Sequence, residues 1–340
     1  MRIGIIIVWM GWINSWGVVL GQQRAQYSQY MLNGYLLNPA LGGTEDFIDV
    51  KTGYRNQWTG FEGAPVTFYV SGHLALGKPD RSSAAPEFGQ RSWNSPVFDN
   101  QPAVPGHHGV GALLLSDRTG PTSRTSFNVS YAWHQPLTNR LKLSVGLAGG
   151  FTQHTLDFDQ LRLNNPQDVL AQQGKVNTTT PDLHLGVLLY SRRWYAGVSA
   201  QQLLFRKLDY GGALPSGDRY AWLGELYTHY FLTGGLRLPL NQDWTFVPSV
   251  LAKWVQPAPI SYDVNARFLY QDRLWMGLSY RHRDAVVGLV GFYLNPLLNL
   301  GYSYDFTLSD IRNASRSTHE VVLGVQLRNR QRLLCPRNVF

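Results

Sequence analysis

The chain has 340 residues, of which 44% are hydrophobic, 13% aromatic and 15% charged, and one is cysteine. This composition excludes a disordered chain, and the single cysteine excludes an internal disulfide. The net charge is +8, but the basic residues are scattered along the sequence, so we expect no nucleic-acid partner.

Residues 1–21 predict a cleavable signal peptide. Arg2 is followed by an apolar stretch from Ile3 to Leu20, which ends in small residues just before Gln22. Beyond it, no apolar run reaches the roughly 18 residues that a membrane-spanning helix needs. We therefore expect export without helical membrane spans; an uncleaved anchor is the less favoured alternative.

The next segment, residues 22–46, has no clean strand period and is rich in Tyr, Met and Leu. Side chains this apolar are unfavourable in water. We expect the segment to pack either as a plug in a barrel lumen or against a periplasmic partner.

Residues 47–328 alternate apolar and polar side chains with a period of two, which is typical of β-strands. The predicted strands run about 9 to 12 residues, which suits tilted strands that cross a bilayer better than the shorter strands of a soluble sandwich. The fourteen predicted strands cover 47–56, 65–75, 108–117, 124–134, 140–152, 182–190, 194–203, 227–239, 244–255, 260–269, 274–281, 285–292, 298–307 and 318–328.

Charged residues support this interpretation, because they fall on the polar faces of the predicted strands: Lys142, Asp263, Arg267, Asp305 and Glu320. A basic residue facing lipid at the bilayer midplane would cost about 2–4 kcal/mol. Aromatic residues gather at strand ends, where we expect them to meet lipid headgroups, with a buried core as the alternative: Trp133, Trp194, Tyr195, Trp244, Trp254, Tyr270, Trp275 and Tyr280. The sequence thus predicts an all-β fold, a transmembrane antiparallel β-barrel.

The lengths of the connections predict the sidedness of this barrel. With both termini in the periplasm, alternate connections should be short periplasmic turns. Most are short, but 76–107 falls on the same side and is long, which indicates a missed hairpin or an unusual periplasmic insertion. Residues 329–340, with Cys335, are expected to form a periplasmic tail.

Several motifs resemble one family. The segment from Ala25 to Met31 precedes Asn38-Pro39-Ala40, and Arg55-x-Gln57-Trp58-x-Gly60-Phe61-x-Gly63-x-Pro65 follows. Together with Asp305 and His319-Glu320 near the end, this ordered set resembles the PorP/SprF family, outer-membrane proteins of the type IX secretion and gliding systems of Bacteroidetes.

The resemblance implies a function. Family members deliver or retain secreted substrates that carry a C-terminal secretion domain, notably adhesins, and they work with periplasmic ring and peptidoglycan-associated components. We expect the same partners here, together with outer-membrane lipid. The residues expected to contact substrate or partner are Gln57, Trp58, Phe61, Glu62 and Pro65. The motif residues expected to be structural are Asn38, Pro39, Ala40, Arg55, Gly60, Gly63, Asp305, His319 and Glu320.

No catalytic constellation emerges. His319-Glu320 begins like a zinc-protease helix, but the second histidine is absent and the segment alternates as a strand. His107-His108 on an extended chain would point apart, so we expect a solvated loop there. We predict no enzyme, metal or cofactor. On physics alone, the alternative function is a passive porin or small-solute channel; an outer-membrane enzyme is the third.

Overall fold

The computed structural model describes residues 24–78, 105–160, 174–204, 207–208, 224–256, 258–309 and 317–329. The predicted signal peptide, and all of the predicted tail except Asn329, lie outside this part. Fourteen long antiparallel strands form the wall. In chain order they are β1 (Ile48–Asn56), β2 (Val66–Leu76), β3 (His107–Thr119), β4 (Thr122–Pro136), β5 (Lys142–Asp157), β6 (Lys175–Tyr190), β7 (Trp194–Gln201), β8 (His229–Leu236), β9 (Trp244–Val255), β10 (Ser261–Tyr270), β11 (Leu274–Arg281), β12 (Ala285–Tyr293), β13 (Leu298–Thr307) and β14 (Thr318–Leu327).

Shorter elements complete the described part. Leu238–Pro239 extends the pairing of β8 with β9, and Lys207–Leu208 pairs with Gly224–Glu225. Three 3-10 turns cover Gly34–Leu36, Pro39–Leu41 and Phe158–Gln160. Among the residues described, no helix is both long and apolar enough to cross a membrane.

The strands close into a barrel. Each strand pairs with its neighbour in sequence, and β1 pairs with β14 from Ile48 opposite Leu327 to Asn56 opposite His319. The pairs of β8 with β7 and β9 complete the ring. Because a closed sheet leaves no row of unpaired backbone groups, it can satisfy its hydrogen bonds inside a bilayer. The predicted fold class is confirmed.

The two faces of the wall differ as the alternation predicts. In β4, Phe127 and Val129 are about half exposed on the outer face, whereas Ser126 and Asn128 are almost fully buried inside. Four of the predicted lumen charges are likewise buried: Asp263, Arg267, Asp305 and Glu320.

The hairpin of β5 and β6 is longer than predicted. Its register continues past Thr152 to Asp157 opposite Lys175. The outward residues of this extension, such as Gln153 and Asn177, are polar, so the apolar alternation stops while the hydrogen-bonded ladder continues. This pattern fits a hairpin tip that extends beyond the apolar layer of the membrane.

Two of the aromatic residues expected at lipid headgroups lie inside the barrel instead. Trp275 is 1% exposed, and its ring covers Gly291, where any Cβ would overlap it. Tyr195 covers Gly235 in the same way. The headgroup prediction is wrong for these two residues, because a bulky ring beside a cross-strand glycine fills the lumen wall.

The barrel has two distinct ends. The short-turn end carries the connections that follow β2, β4, β6, β8, β10 and β12, which are short except for the one after β2. The long-loop end carries the others. β2 and β3 pair directly, from Val66 opposite Arg118 to Leu76 opposite His108, so connection 77–106 begins and ends at the short-turn end. Residues 79–104 of that connection lie outside the described part.

Candidate functional site

Residues 24–47, which we call the plug, lie inside the barrel. Arg24 lies at the long-loop end, and Tyr30, Tyr35 and Leu37 are buried along the lumen. At the short-turn end, Lys78 Nζ donates to the carbonyl oxygens of residues 44 and 45 at 2.8 and 3.0 Å. The segment therefore enters at one end, crosses the lumen and turns into β1 at the other.

Four buried residues, which we call the latch, join the plug to the wall near the long-loop end. Three of them belong to the wall and one, Ser28, belongs to the plug. Arg55 on β1 lies opposite Glu320 on β14, and its Nη1 is 3.0 Å from Glu320 Oε2. Arg55 Nη2 is 2.9 Å from Asp305 Oδ2 on β13. Ser28 of the plug donates its backbone N–H to Glu320 Oε2 at 2.7 Å and its hydroxyl to Asp305 Oδ2 at 2.6 Å. All four are at most 2% exposed.

Further charges extend the latch along the wall. Arg281 Nη1 lies 3.5 Å from Asp305 Oδ2, and Arg281 Nε lies 3.6 Å from Asp263 Oδ2. Lys253 Nζ is 3.0 Å from Asp263 Oδ2. A buried charge is tolerated when paired and costs several kcal/mol when its partner is lost. The same ion pairs therefore join strands of the wall to one another and hold the plug against them.

The middle of the plug lies directly on glycines of the wall. Asn38 caps the Pro39–Leu41 turn, because its Oδ1 accepts from Ala40 N at 2.9 Å. Asn38 Nδ2 donates to the carbonyl oxygens of Val187 and Val198 at 3.1 and 3.3 Å. A Cβ at Gly186 would overlap Asn38 Oδ1. Only glycine leaves room for this approach.

Two stacked histidines of the wall contact the plug at the short-turn end of the barrel. The rings of His107 and His134 are 4.4 Å apart and nearly parallel. Their Nε2 atoms lie 3.1 Å from Gly43 O and 2.7 Å from Gly42 O. The expectation of a solvated loop at His107 is wrong, because His107 lies in β3 and is 1% exposed. Its imidazole contacts the backbone of the plug, and the plug has no sequence periodicity that could have indicated this contact.

Residues 57–65, which we call the rim loop, project at the long-loop end. Gln57 is buried, and its N–H donates to the Pro65 carbonyl at 2.9 Å, which closes the loop. Gly60 and Gly63 have φ values of 90° and 74°, a region that favours glycine. Phe61 is 46% exposed.

Other rim-loop positions differ in exposure. Glu62 is exposed and Pro65 is half-buried. Trp58 is half-buried, has a φ of 54°, and donates its backbone N–H to Thr318 Oγ1 at 3.0 Å. On the side of Phe61, a hollow of about 440 Å³ separates the loop from Arg118. The loop is thus tightly folded yet presents an aromatic ring and a carboxylate.

A cavity of about 340 Å³, which we call the mouth pocket, lies between the rim loop and the start of the plug. Its lining includes Arg24, Trp58, Asp117, Arg124, His154 and His229. Tyr227 lies at its edge; its hydroxyl donates to Glu225 Oε2 at 2.6 Å, and this hydrogen bond raises the pKa of the phenol. The pocket combines two arginines and two imidazoles with one lining carboxylate.

The structure brings together some of the sequence-predicted residues and separates others. Arg55, Asp305 and Glu320 meet in the latch, while Asn38, Pro39 and Ala40 form the capped turn of the plug. Glu62 lies apart from Arg55 on the exposed rim. His319 points outward, where its Nδ1 is 2.8 Å from the Tyr302 hydroxyl and its Nε2 is 2.9 Å from Ser317 Oγ.

Sequence reasoning missed several residues of the latch, its charged network and the mouth pocket, among them Ser28, Arg124 and His154. Arg124 has the parity of the polar face of β4, so its inward direction could have been predicted. Ser28 carried no such signal, because the plug lacks a period. Among the described residues, no group of three or more His, Cys, Asp or Glu side chains could hold a metal ion.

Comparison with known proteins gives one family match. The family model for the type IX secretion system membrane protein PorP/SprF matches residues 19–325. No curated protein matches.

Solved structures with similar folds are remote in sequence. A FadL homologue of Pseudomonas aeruginosa has a TM-score of 0.48 at 12% identity, covering 85% of this chain and 91% of its own. The toluene transporter TodX of Pseudomonas putida gives 0.47 at 11%, covering 86% and 92%. Omp33 of Acinetobacter baumannii gives 0.46 at 10%, covering 84% and 100%.

Proposed function

We propose that this chain, which belongs to the PorP/SprF family of type IX secretion system membrane proteins, is a non-enzymatic barrel of the outer membrane that binds a secreted protein. The substrate carries a C-terminal secretion domain, is adhesin-like, and is anchored at or delivered to the cell surface. The cell would be a gliding or adhesive member of the Bacteroidetes, which exports the barrel through a cleaved signal peptide.

The plug is the observation that carries this proposal. It crosses the lumen and is held at both ends, by the latch above and by His107 and His134 below. A passive porin needs an open aqueous path along its lumen. A lumen filled by the protein's own chain favours a barrel that works through its surfaces.

The long-loop end is the surface proposed to meet the substrate. The rim loop offers the exposed Phe61 ring beside the Glu62 carboxylate, and Gln57, Trp58 and Pro65 support it from within. Exposed aromatic residues on a rigid turn are favourable contact points, because little conformational entropy is lost on binding.

The short-turn end is the surface proposed to meet periplasmic ring or peptidoglycan-associated components. β14 ends there, and Asn329 Nδ2 anchors the outgoing chain to the Pro296 carbonyl at 2.9 Å. Connection 77–106 begins and ends at the same level. Substrate and machine would thus bind opposite ends of one barrel.

The test is affinity purification of the tagged protein from its native envelope in mild detergent, followed by mass spectrometry. We expect recovery of a protein with a C-terminal secretion domain and of periplasmic ring components. W58A/F61A should lose the secreted protein and keep the ring components, because both residues lie at the long-loop end, away from the surface proposed to meet the ring.

L308A is the matched control, since Leu308 is 40% exposed at the same end of the barrel. It should keep both sets of partners. A folded wild-type barrel recovered without any partner would argue against the proposal, and unchanged substrate recovery with W58A/F61A would remove the rim loop from it.

A further inference from the structure

The mouth pocket contains side-chain nitrogens that have no hydrogen-bond partner among the described residues. Arg124 Nε and Nη2 are both without a hydrogen-bond partner, and so is His154 Nε2. His154 is 5% exposed, so this nitrogen gains little from solvent. A buried donor without an acceptor is unfavourable, so a ligand that accepts a hydrogen bond from it would be stabilised.

The unpartnered atoms are placed for one bidentate acceptor. Nε and Nη2 form one edge of the guanidinium, and that edge matches the two oxygens of a carboxylate. Arg124 and His154 lie directly opposite each other on β4 and β5, on the inward face. An oxyanion on the arginine edge would therefore lie close to the imidazole.

The carboxylates near Arg124 make no hydrogen bond to it. Arg124 Nη2 forms an ion pair with Asp182 Oδ2 at 3.9 Å, a distance too long for a hydrogen bond. That oxygen accepts from Thr152 Oγ1 at 3.3 Å and lies 3.0 Å from His184 Nε2. The one carboxylate that lines the pocket, Asp117, accepts from Thr67 Oγ1 at 2.6 Å. Neither makes a hydrogen bond to Arg124.

The rim of the pocket is also strained. Trp58 and Gln202 both line it, and both have left-handed φ values, of 54° and 59°. A left-handed conformation is unfavourable for a residue other than glycine and persists where the surrounding structure requires it. With Leu226, Trp58 also supplies an apolar wall beside the basic one.

We propose that the mouth pocket binds a carboxylate carried on a small apolar body. The carboxylate occupies the Nε–Nη2 edge of Arg124 and the Nε2 of His154, and the body packs on Trp58 and Leu226. The volume of about 340 Å³ lies within the range of small-ligand sites. Two sources share this chemistry: the C-terminal residue of a polypeptide and a free monocarboxylic acid.

The experiment is isothermal titration of the purified full-length barrel in detergent. The probes are N-acetyl-Ala-Phe, its C-terminal amide, 3-phenylpropionate and inorganic phosphate. We expect the free acid to bind at least about tenfold more tightly than the amide, since the charge-assisted bidentate bond is lost in the amide. A peptide that binds more tightly than 3-phenylpropionate identifies the polypeptide terminus; equal binding identifies the free acid.

Three variants give the proposal its controls. R124Q and H154L should each weaken binding of the free acid, because each removes a nitrogen proposed to donate to the carboxylate. For R124Q the loss should be about tenfold or more. R118Q is matched to R124Q: Arg118 is exposed on the neighbouring strand and lines the hollow outside the rim loop. It should change binding less than about twofold.

Equal binding of acid and amide, or binding of phosphate with neither carboxylate, would overturn the proposal. H154L leaves Arg124 in place, so the test survives if R124Q does not fold. Either negative result leaves the envelope purification unaffected, so this inference can fail while the proposed function stands.

Discussion

The latch shows how individual residues decide whether this barrel can hold its plug. A single arginine, Arg55, pairs with both of the buried carboxylates that accept hydrogen bonds from Ser28. Lumen position was predictable for Arg55, Asp305 and Glu320 because strand parity places all three inside. Their convergence on Ser28 was not predictable, since it depends on the path of a segment without periodicity.

Loss of Arg55 should therefore be severe. Arg55→Met leaves Asp305 with Arg281 alone and Glu320 without a charged partner, and removing one member of a buried ion network costs about 3–5 kcal/mol. We expect the urea midpoint of unfolding in lipid vesicles to fall sharply. Arg118→Met, the same change at an exposed site, should leave it nearly unchanged.

A second change tests whether this loss comes from the uncompensated charge. Glu320→Gln added to Arg55→Met should recover part of the lost stability, because it removes a buried charge that no longer has a partner. A double variant that loses as much as both single variants summed would contradict the pairing.

The glycine seat of the plug gives another residue-scale prediction. Gly186→Ala places a methyl group where Asn38 Oδ1 lies, so the capped turn must move. Overpacking of this kind costs about 1–3 kcal/mol. Protease sensitivity of the plug should rise. Gly288→Ala is the control, as its Cβ meets no described atom within 4 Å; equal sensitivity in both variants would show that the seat is not tight.

At the scale of elements, alternation located all fourteen strands, and most predicted ends are within two residues of the observed ones. The two largest boundary errors, at the end of β5 and the start of β6, share one cause. Where the outward face of a hairpin is polar, as in the extension of β5 and β6, hydrogen bonding continues without the apolar alternation that marks a membrane strand. The contacts of the plug were not predicted for a related reason, because 3-10 turns and irregular backbone have no sequence period.

The outer face of a strand should tolerate charge far less than a turn. Leu278, in the middle of β11, is 64% exposed, and Leu294, in a short turn, is 62% exposed. Leu278→Arg should destabilise the barrel by about 2–4 kcal/mol, because the charge enters lipid. Leu294→Arg should cost little. Urea unfolding in vesicles measures both, and equal effects would mean that Leu278 does not face the membrane interior.

At the scale of the whole molecule, closure and the plug together determine what the barrel can do. Strand parity and even strand number predicted a closed barrel, and the pairing of β1 with β14 shows it. A filled lumen did not follow from sequence, because the apolar segment before β1 fitted a periplasmic partner equally well. In the structure, Ser28, Asn38 and Gly43 of this segment make buried contacts with the wall.

Conductance in a planar lipid bilayer tests the central claim, that the barrel acts through its surfaces and not as a channel. We predict that the wild-type protein shows no steady conductance and that deletion of residues 24–43 produces stepwise openings. If the deletion prevents folding, Ser28→Ala with Gly186→Ala loosens both plug contacts and should produce transient openings. Steady porin-like conductance of the wild-type protein, unchanged by these variants, would contradict the account.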